Sequence, residues 1–439
     1  MFPSAAEEGR AIAAGRLDPV SRTEQRLELI RSHPAGDRIF AHVCAERARS
    51  EAIAAHDRVK AGLGRGPLDG VALAWKDNID AANMPCQAGS QLLAHRLPGA
   101  DAPILARATA QGAVCLGKTH MTELAFSGLG LNPMTATPPN GVVAELAPGG
   151  SSSGSAVAVA LGLAAAAVGS DTGGSIRLPA AWNDLVGFKP AHGRLPMQGV
   201  VPLCPRFDVV GPIARTVQDC ALVFGLLDAR PAPDLRDSSL TGARLLVIEG
   251  AAFDQIRDLP QQGFEGAVDR LAGAGAQITR ATLPQVAEAL ELSPLLFAPE
   301  AYGIWGATIE AAPDRIWPPI RDRFRGGTGV LAADHVAAWM RLHDLRTAFA
   351  AATAGYDAVI WPTSPILPPD AARLLADADF FAAENLLALR NTRIGNMLDL
   401  AAITLPTGVP MTGIMLAAQP GDEARLLRLA AAAEAALLA

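Results

Sequence analysis

The sequence predicts a fold of the α/β class built around one large sheet. The short apolar runs VALAWKD, AVCLGKT and AAAAVGSDT each end where polar residues or glycine begin, which is the pattern of buried strands. Further along, LLVIEG, a helical stretch to about Ala274 and QITRATLP indicate a β-α-β unit that adds to the same sheet. Because α/β proteins place their sites where strands end and helices begin, we expect the chemistry at these strand ends.

The composition is that of an ordinary globular protein. Of the 439 residues, 50% are hydrophobic and 18% are charged, and the 42 glycines and 33 prolines are spread along the chain. This composition excludes collagen-like, disordered and coiled-coil classes. The net charge of −7 provides no basic surface for phosphate groups, so we expect no nucleic-acid partner.

The cysteines and the N-terminus indicate a cytoplasmic protein. Five cysteines without a C-x-x-C pair argue against a disulfide framework and against a cysteine-rich zinc site. The first residues contain two acids and no apolar core, unlike a secretory signal. The longest apolar run, residues 156–168, is too short to span a bilayer, so we expect no membrane association.

The remaining segments are predicted in outline. Residues 4–60 have apolar side chains at three- or four-residue steps, which indicates amphipathic helices. Residues 229–239 are polar and proline-rich, typical of a linker or a long surface loop. YDAVIWPTSP and LAAITLPTG are two further strand-to-loop junctions, and an Ala/Leu-rich helix follows them. Residues 285–355 look helical and contain no functional motif.

Two segments match the residue patterns of known catalytic or binding motifs, but the sequence around them does not favour the structures that those motifs need. GAVCLGKT fits the phosphate-loop pattern with Lys118, yet the residues between its glycines favour a strand, so we interpret Lys118 as a surface lysine at a strand end. A nucleotide-binding function at Lys118 remains a remote alternative. GSSSG fits the nucleophile elbow with Ser152, but the preceding segment contains Pro148 and glycines instead of a strand.

Three separate segments together supply the groups that nucleophilic amide cleavage requires. They contain Lys76 in AWKDNID, Ser151 in PGGSSSGSA and Ser175 in GSDTGGSIRLPA. A serine hydroxyl needs a base, and a lysine serves when burial lowers its pKa towards neutrality. The glycine-rich turn at residues 172–175 follows a buried strand, where backbone N–H groups can converge on an oxyanion. We therefore nominate Ser175 as nucleophile and Lys76 as base, with a hydroxyl from residues 151–155 between them.

These segments resemble the amidase signature family. LDGVALAWKDNID, GAVCLGKTHMTELAFSG, PGGSSSGSAVAVALG, GSDTGGSIRLPAAWNDLVGFKP and GPIARTVQDCA occur in the order and approximate spacing of that family. The resemblance implies a Ser–cisSer–Lys triad of Ser175, Ser151 and Lys76, with a cis peptide bond between Gly150 and Ser151. The oxyanion hole would then be formed by the backbone amides of Thr172, Gly173, Gly174 and Ser175.

The resemblance also suggests supporting and pocket residues. Gly150 and Ser152 flank Ser151, and Asp171 and Arg177 flank the nucleophile, where an ion pair would hold the turn. Phe126 and Ser127 fall in a segment that lines the acyl pocket in the family. Arg206 stands where the family commonly has a small polar residue, which makes it a candidate for substrate contact.

The resemblance implies a single α/β domain over residues 1–439, with a mixed central sheet covered by helices on both faces. N-terminal helices would occupy residues 1–66, the signature core 67–228, and a C-terminal part that completes the sheet and pocket 229–439. The implied reaction is hydrolysis of a small carboxamide through an acyl-enzyme, with no metal or organic cofactor and with a homodimer as the family-level expectation. The alternative is a glutamine-hydrolysing subunit of a tRNA-dependent amidotransferase. Arg390, Asn391 and Arg393 are further pocket candidates by position alone.

Overall fold

The computed structural model describes residues 2–439, and its strands form one mixed sheet. Within those residues the sheet has eleven strands, in the spatial order β1-β3-β2-β4-β6-β5-β10-β11-β9-β7-β8. The strands are β1 (Phe40–Val43), β2 (Ala72–Lys76), β3 (Val114–Thr119), β4 (Ala166–Asp171), β5 (Val186–Lys189), β6 (Val209–Ala214), β7 (Arg244–Glu249), β8 (Gln277–Thr282), β9 (Ala358–Pro362), β10 (Ala401–Pro406) and β11 (Gly413–Ala418). Parallel pairs at β3-β2-β4 and β9-β7-β8 are joined by antiparallel strands, which confirms the predicted mixed sheet.

Helices pack on both faces of this sheet. Over the same described residues they are α1 (Ala5–Ala13), α2 (Pro19–Ser32), α3 (Gly36–Ile39), α4 (Ala45–Lys60), α5 (Pro103–Ala110), α6 (Ser153–Ala160), α7 (Arg177–Ala181), α8 (Val217–Asp228), α9 (Asp258–Gly273), α10 (Pro284–Glu291), α11 (Ser293–Ala311), α12 (Pro318–Arg325), α13 (Ala332–Thr353), α14 (Ala371–Ala376), α15 (Ala378–Met397) and α16 (Glu423–Leu438). None of them has both the length and the apolar character needed to cross a membrane, as far as residues 2–439 are concerned.

The alternation of side chains along the strands explains the two helical layers. In β10, Ile403 and Leu405 pack in a core with side chains of α8, α9 and α16. Ala402, on the opposite face of the same strand, packs in a second core with side chains of α11, α12, α13 and α15. Since both faces of the central strands are buried, these strands are almost continuously apolar, which is why most of them were recognisable in the sequence. The edge strand β8 is polar and largely exposed.

The N-terminal region differs from its prediction at one point. Residues 4–60 were expected to be helical throughout, but Phe40–Val43 forms the edge strand β1, antiparallel to β3. Its four residues are too few for a period to be recognised, and the free edge of β3 supplies their backbone partners. The polar segment 229–239 forms the loop between α8 and β7, and strands on both sides of it belong to the one sheet.

The parallel arrangement of β2 and β4 positions the candidate site. Trp75 of β2 pairs with Val168 of β4, so both strands end at the same edge of the sheet. Lys76 is the last residue of β2, and the turn at residues 172–175 follows directly after β4. The carboxyl ends of neighbouring parallel strands therefore bring the lysine and the glycine-rich turn together.

Candidate active site

Lys76 is completely buried at the end of β2 and makes hydrogen bonds only to uncharged groups in the described residues. Its Nζ lies 2.7 Å from Oγ of Ser151 and 2.8 Å from Oγ of Ser170. Burial lowers the pKa of Lys76 to about 7, although the more distant carboxylates of Asp171 and Asp208 act in the opposite direction. Near neutral pH a substantial fraction of this lysine is therefore uncharged and able to accept a proton.

Ser151 lies in a tightly packed loop before α6. The peptide bond between Gly150 and Ser151 is cis, as the resemblance implied. The carbonyl of Ser151 accepts a hydrogen bond from the Thr122 amide at 3.1 Å. A Cβ on Gly150 would lie 2.7 Å from both the Gly130 nitrogen and Oγ1 of Thr122, so only glycine fits at that position. This packing holds the Ser151 hydroxyl against Lys76.

Ser175 lies in the turn between β4 and α7 and borders a cavity. Its carbonyl accepts a hydrogen bond from the Ser152 amide at 3.2 Å, which ties the two serine-bearing segments together. The amides of Gly173 and Ser175 donate to no group among residues 2–439, so they are available to a bound molecule. Gly173 and Ser175 thus border the same cavity, with both amides free to donate.

The backbone amide of Gly174 is not available for the oxyanion hole in which it was expected. Its N–H donates to Oδ1 of Asp171 at 2.9 Å, and the Ile176 N–H donates to Oδ2 of the same carboxylate at 3.0 Å. An amide already bound to a carboxylate is not free to stabilise an oxyanion. The prediction for Gly174 is therefore wrong on this geometry, because the turn uses that amide to hold its own shape.

Asp171 and Arg177 form the ion pair that was expected to hold the turn. Nε of Arg177 lies 3.1 Å from Oδ2 of Asp171, Nη2 lies 2.9 Å from Oδ1, and both side chains are completely buried. Burial alone would raise the pKa of Asp171, but the guanidinium outweighs it and the pKa falls to about 2. Asp171 is therefore ionised at neutral pH.

Helix α15 supplies contacts to this turn that the sequence analysis missed. Oγ1 of Thr392 donates to the Gly173 carbonyl at 2.7 Å, and its own carbonyl accepts a hydrogen bond from Arg177 at 2.7 Å. Nδ2 of Asn396 donates to Asp171 at 2.8 Å. The only signal in the sequence is the presence of polar side chains among the apolar residues of a helix. This signal does not identify the residues to which they bind.

The cavity beside Ser175 has a volume of about 200 Å³ and mostly apolar walls. Phe126 and Ser127 line it, but the Ser127 hydroxyl is already bonded to Asn385 at 3.0 Å. Two arginines, Arg323 of α12 and Arg393 of α15, also line the cavity. Nothing in the sequence distinguishes Arg323 from the neighbouring arginines.

The other arginines proposed for the pocket lie elsewhere. Arg206 is exposed, with its guanidinium 5.1 Å from the ring of Trp339 and its amide bonded to Glu300. It is not among the residues that line the cavity, because the chain buries the following Phe207 and turns Arg206 outwards. Arg390 and Asn391 are held by the Ala252 carbonyl at 3.2 and 2.8 Å and do not line the cavity either.

The two competing motifs adopt other roles. Residues 114–119 are strand β3, so no loop forms between the glycines of GAVCLGKT to surround a phosphate. The prediction of a surface lysine is also wrong, since Lys118 is completely buried and its Nζ lies 3.4 Å from Asp77. Ser152 follows a loop instead of a strand and donates its hydroxyl to the Ser170 carbonyl at 3.2 Å, outside the cavity.

Comparison with known proteins connects this geometry to characterised chains. The family described as Amidase matches residues 24–427. A 2-amino-5-chloromuconic acid deaminase from Comamonas testosteroni is 34% identical over 401 residues, covering 89% of this chain and 86% of that protein. A glutamyl-tRNA(Gln) amidotransferase subunit from Anaeromyxobacter dehalogenans is 33% identical over 473 residues, covering 98% and 95%. The crystal structure of an amidase superposes with a TM-score of 0.88 at 29% identity, covering 99% of both chains.

Proposed function

The chain belongs to the amidase family, whose members hydrolyse amide C–N bonds, and from this premise we propose that it acts through an acyl-enzyme on Ser175. The observation that carries the proposal is the 2.7 Å contact between Nζ of Lys76 and Oγ of Ser151, at the end of strands that also present Ser175 to the cavity. Lysine is the base in this arrangement because burial holds its pKa near neutrality.

The first half of the reaction forms the acyl-enzyme. Neutral Lys76 accepts the Ser151 proton, and Ser151 accepts the proton of Ser175 as the Ser175 oxygen attacks the amide carbonyl. The amides of Thr172, Gly173 and Ser175 stabilise the oxyanion, since backbone donors fixed in advance need no rearrangement when the charge develops. The C–N bond then breaks, and the proton held by Lys76 returns through Ser151 to the leaving nitrogen.

The second half reverses these roles with water. A water molecule gives its proton through Ser151 to Lys76 and attacks the acyl carbonyl, so that the carboxylic acid leaves and Ser175 regains its proton. Asp171 and Arg177 do not touch the substrate in this scheme. They act as positioning residues, because their ion pair holds the turn that carries the oxyanion donors.

The relatives support ammonia as the leaving group. The Comamonas testosteroni relative is named a deaminase, and the Anaeromyxobacter dehalogenans relative is named as part of an amidotransferase. We propose that this chain releases ammonia from a small primary amide. The five cysteines are all buried and unpaired, which supports our further proposal of a reducing, cytoplasmic location.

A fluorophosphonate probe tests the proposed nucleophile. We expect the probe to modify Ser175, with the modified residue identified by peptide mass spectrometry. Ser175→Ala and Lys76→Ala should both abolish the label and lower kcat for primary amides at least about 1000-fold. Ser153→Ala is the matched control, because Oγ of Ser153 is buried without a hydrogen-bond partner in the described residues and should not affect labelling.

Two outcomes would overturn the proposal. If the probe labels Ser152 and Ser175→Ala retains full turnover, the nucleophile is Ser152 of the elbow motif. If Lys76→Ala retains full activity, Lys76 is not the base that accepts the serine proton. Glutamine should be included among the amides assayed, since its preferential hydrolysis would place the chain with the amidotransferase subunits.

A further inference from the structure

The cavity beside Ser175 contains two cationic side chains without an anionic partner. Arg323 and Arg393 both line it, and neither forms an ion pair with any carboxylate in residues 2–439. Nε of Arg323 is fully buried with no hydrogen-bond partner. The polar contact of Arg393 is a long one, 3.4 Å from Nη1 to Oγ of Ser293. The buried Arg177, by contrast, has a carboxylate at 2.9 Å.

Aromatic rings fix both guanidinium groups in place. The guanidinium carbon of Arg323 lies 4.7 Å from the ring centre of Phe126, and that of Arg393 lies 6.0 Å from the ring centre of Phe297. Rings at these distances attract and orient a cation but supply no negative charge. The N–H edges of the two guanidinium groups are therefore available to a molecule in the cavity.

Both arginine side chains are half-buried, which makes the missing negative charge costly. This burial lowers the pKa of both arginines to about 10, and the positive charge of Arg393 lowers that of Arg323 further. Both groups still carry a full charge at neutral pH, in a cavity whose other walls are mostly apolar. Charged groups in such surroundings are normally paired, so an anion bound in the cavity would offset this cost.

The arginines lie close to the reacting centre. A Cβ placed on Gly173 would lie 4.0 Å from Nε of Arg393, so this guanidinium is next to the proposed oxyanion turn. Lys76 and Ser151, which would return the proton to the leaving nitrogen, do not line the cavity. Because the proton returns from Lys76 through Ser151, the leaving nitrogen belongs on the side of Ser175 where these two residues lie. The cavity and its arginines are then left to the acyl part of the substrate.

Building on the proposed function, we infer that the substrate is a small amide whose acyl part carries a carboxylate bound by Arg323 and Arg393. The monoamide of a short dicarboxylic acid has this chemistry. Guanidinium groups bind carboxylates through paired N–H···O hydrogen bonds, which fixes both the position and the orientation of the acyl chain. The cavity volume of about 200 Å³ admits a short chain between the carboxylate and the amide.

Steady-state kinetics on matched substrates test this inference. The monoamides of C4 to C6 dicarboxylic acids are compared with butyramide, valeramide and hexanamide, which have the same carbon numbers without the charge. We expect the best monoamide to exceed its uncharged counterpart in kcat/KM at least about 100-fold. Arg323→Gln and Arg393→Gln should each lower that preference at least about 30-fold, the effect of removing one partner of a desolvated charge pair.

Arg325→Gln is the matched control for these variants. Arg325 lies on α12 two residues beyond Arg323, but it is 39% exposed, pairs with Glu310 and does not line the cavity. Its substitution should leave the preference for the charged substrate unchanged. A measurement that needs no variant is competitive inhibition of the wild-type protein. We expect succinate, glutarate or adipate to inhibit more strongly than butyrate, valerate or hexanoate, which lack the second carboxylate.

The failures of the two proposals are distinguishable. Equal kcat/KM for charged and uncharged amides, with Ser175 labelled by the fluorophosphonate probe, would refute the anionic substrate and leave the amidase mechanism intact. Preference for N-acylated amino acids over monoamides would refute the placement of the carboxylate in the acyl part. Absence of both labelling and hydrolysis would refute the proposed function and this inference with it.

Discussion

Asp171 and Arg177 are joined by two hydrogen bonds in a completely buried ion pair that lies against the turn of Ser175. The same carboxylate accepts the amides of Gly174 and Ile176, so the pair and the turn form one connected unit. The shape of the proposed oxyanion hole therefore depends on charges that do not line the cavity.

Asp171→Asn should destabilise the protein strongly. The substitution keeps the shape of the side chain but leaves the Arg177 guanidinium buried without its counter-charge. We expect the free energy of unfolding to fall by about 3–5 kcal/mol, measured by urea denaturation, and kcat to fall with it. Arg236→Ala breaks the exposed pair with Asp234 and should leave the free energy of unfolding almost unchanged. An effect of similar size in both variants would contradict the structural role of the buried pair.

The activity should rise with pH through the pKa of Lys76. Burial lowers this pKa to about 7, and only the neutral amine accepts the Ser151 proton. We therefore expect kcat/KM for an amide to increase about tenfold per pH unit below pH 7 and to level off above it. The measurement is a pH–rate profile between pH 5 and 9. A profile that is flat across this range would exclude Lys76 as the titrating base.

Asp208→Asn should shift that profile to lower pH. The carboxylate of Asp208 raises the pKa of Lys76 by favouring its charged form, so its neutralisation lets burial lower the pKa further. Asn can keep its oxygen on the Leu203 and Cys204 amides, which now donate to Oδ2 of Asp208. The Thr172 hydroxyl, which now donates to Oδ1, can then rotate to accept from the Asn amide group. The rising limb should therefore begin below that of the wild type while the plateau stays measurable. A shift to higher pH would show that the two groups do not interact as described.

Gly174→Ala should be far more damaging than Gly173→Ala. Gly174 has a φ of +132°, and an added Cβ would lie 1.9 Å from Oγ1 of Thr392. An added Cβ on Gly173 approaches only Nε of Arg393, at 4.0 Å. We expect Gly174→Ala to lose at least about 2 kcal/mol of stability in thermal or urea unfolding, and Gly173→Ala to lose much less.

The loss of stability in Gly174→Ala has two causes, the positive φ and the steric contact with Thr392. A double variant separates them. Thr392→Gly removes all three side-chain atoms that a Cβ on Gly174 would meet, including the Thr392 Cβ at 2.4 Å, but it leaves the backbone angle of residue 174 unchanged. Gly174→Ala with Thr392→Gly should therefore be more stable than the sum of the single variants predicts. Simple additivity would mean that steric contact with Thr392 is not the cause.

Much of the sheet could be predicted because its strands are buried on both faces. β2, β3, β4, β7, β9 and β10 are short apolar runs that end at polar residues or glycine, and all six were predicted. β8 was predicted as well, as the second strand of a β-α-β unit, although it is polar and largely exposed. β1, β5, β6 and β11 were not predicted. β1 is only four residues long, and its strand conformation depends on pairing with β3 far away in the chain.

The candidate catalytic residues at the strand ends could be predicted from the sequence more readily than the residues around them. Lys76, Ser151 and Ser175 lie in segments with unusual composition, and the structure brings their segments together. The burial of Lys118 was missed because it depends on β1 and β2 on either side of its strand. The two cavity arginines come from helices α12 and α15, whose sequence pattern does not show which side chains reach the cavity.

The contacts from α15 have a consequence for the newly synthesised chain. Thr392 and Asn396 bind Arg177 and Asp171 across 215 and 225 residues of sequence. All three residues proposed for catalysis therefore leave the ribosome long before the helix that holds their turn. A nascent chain that ends before α15 contains the complete set of reactive groups but lacks the contacts that shape the oxyanion site. The proposed amide cleavage therefore requires the last third of the chain to fold onto the segment that carries the turn of Ser175.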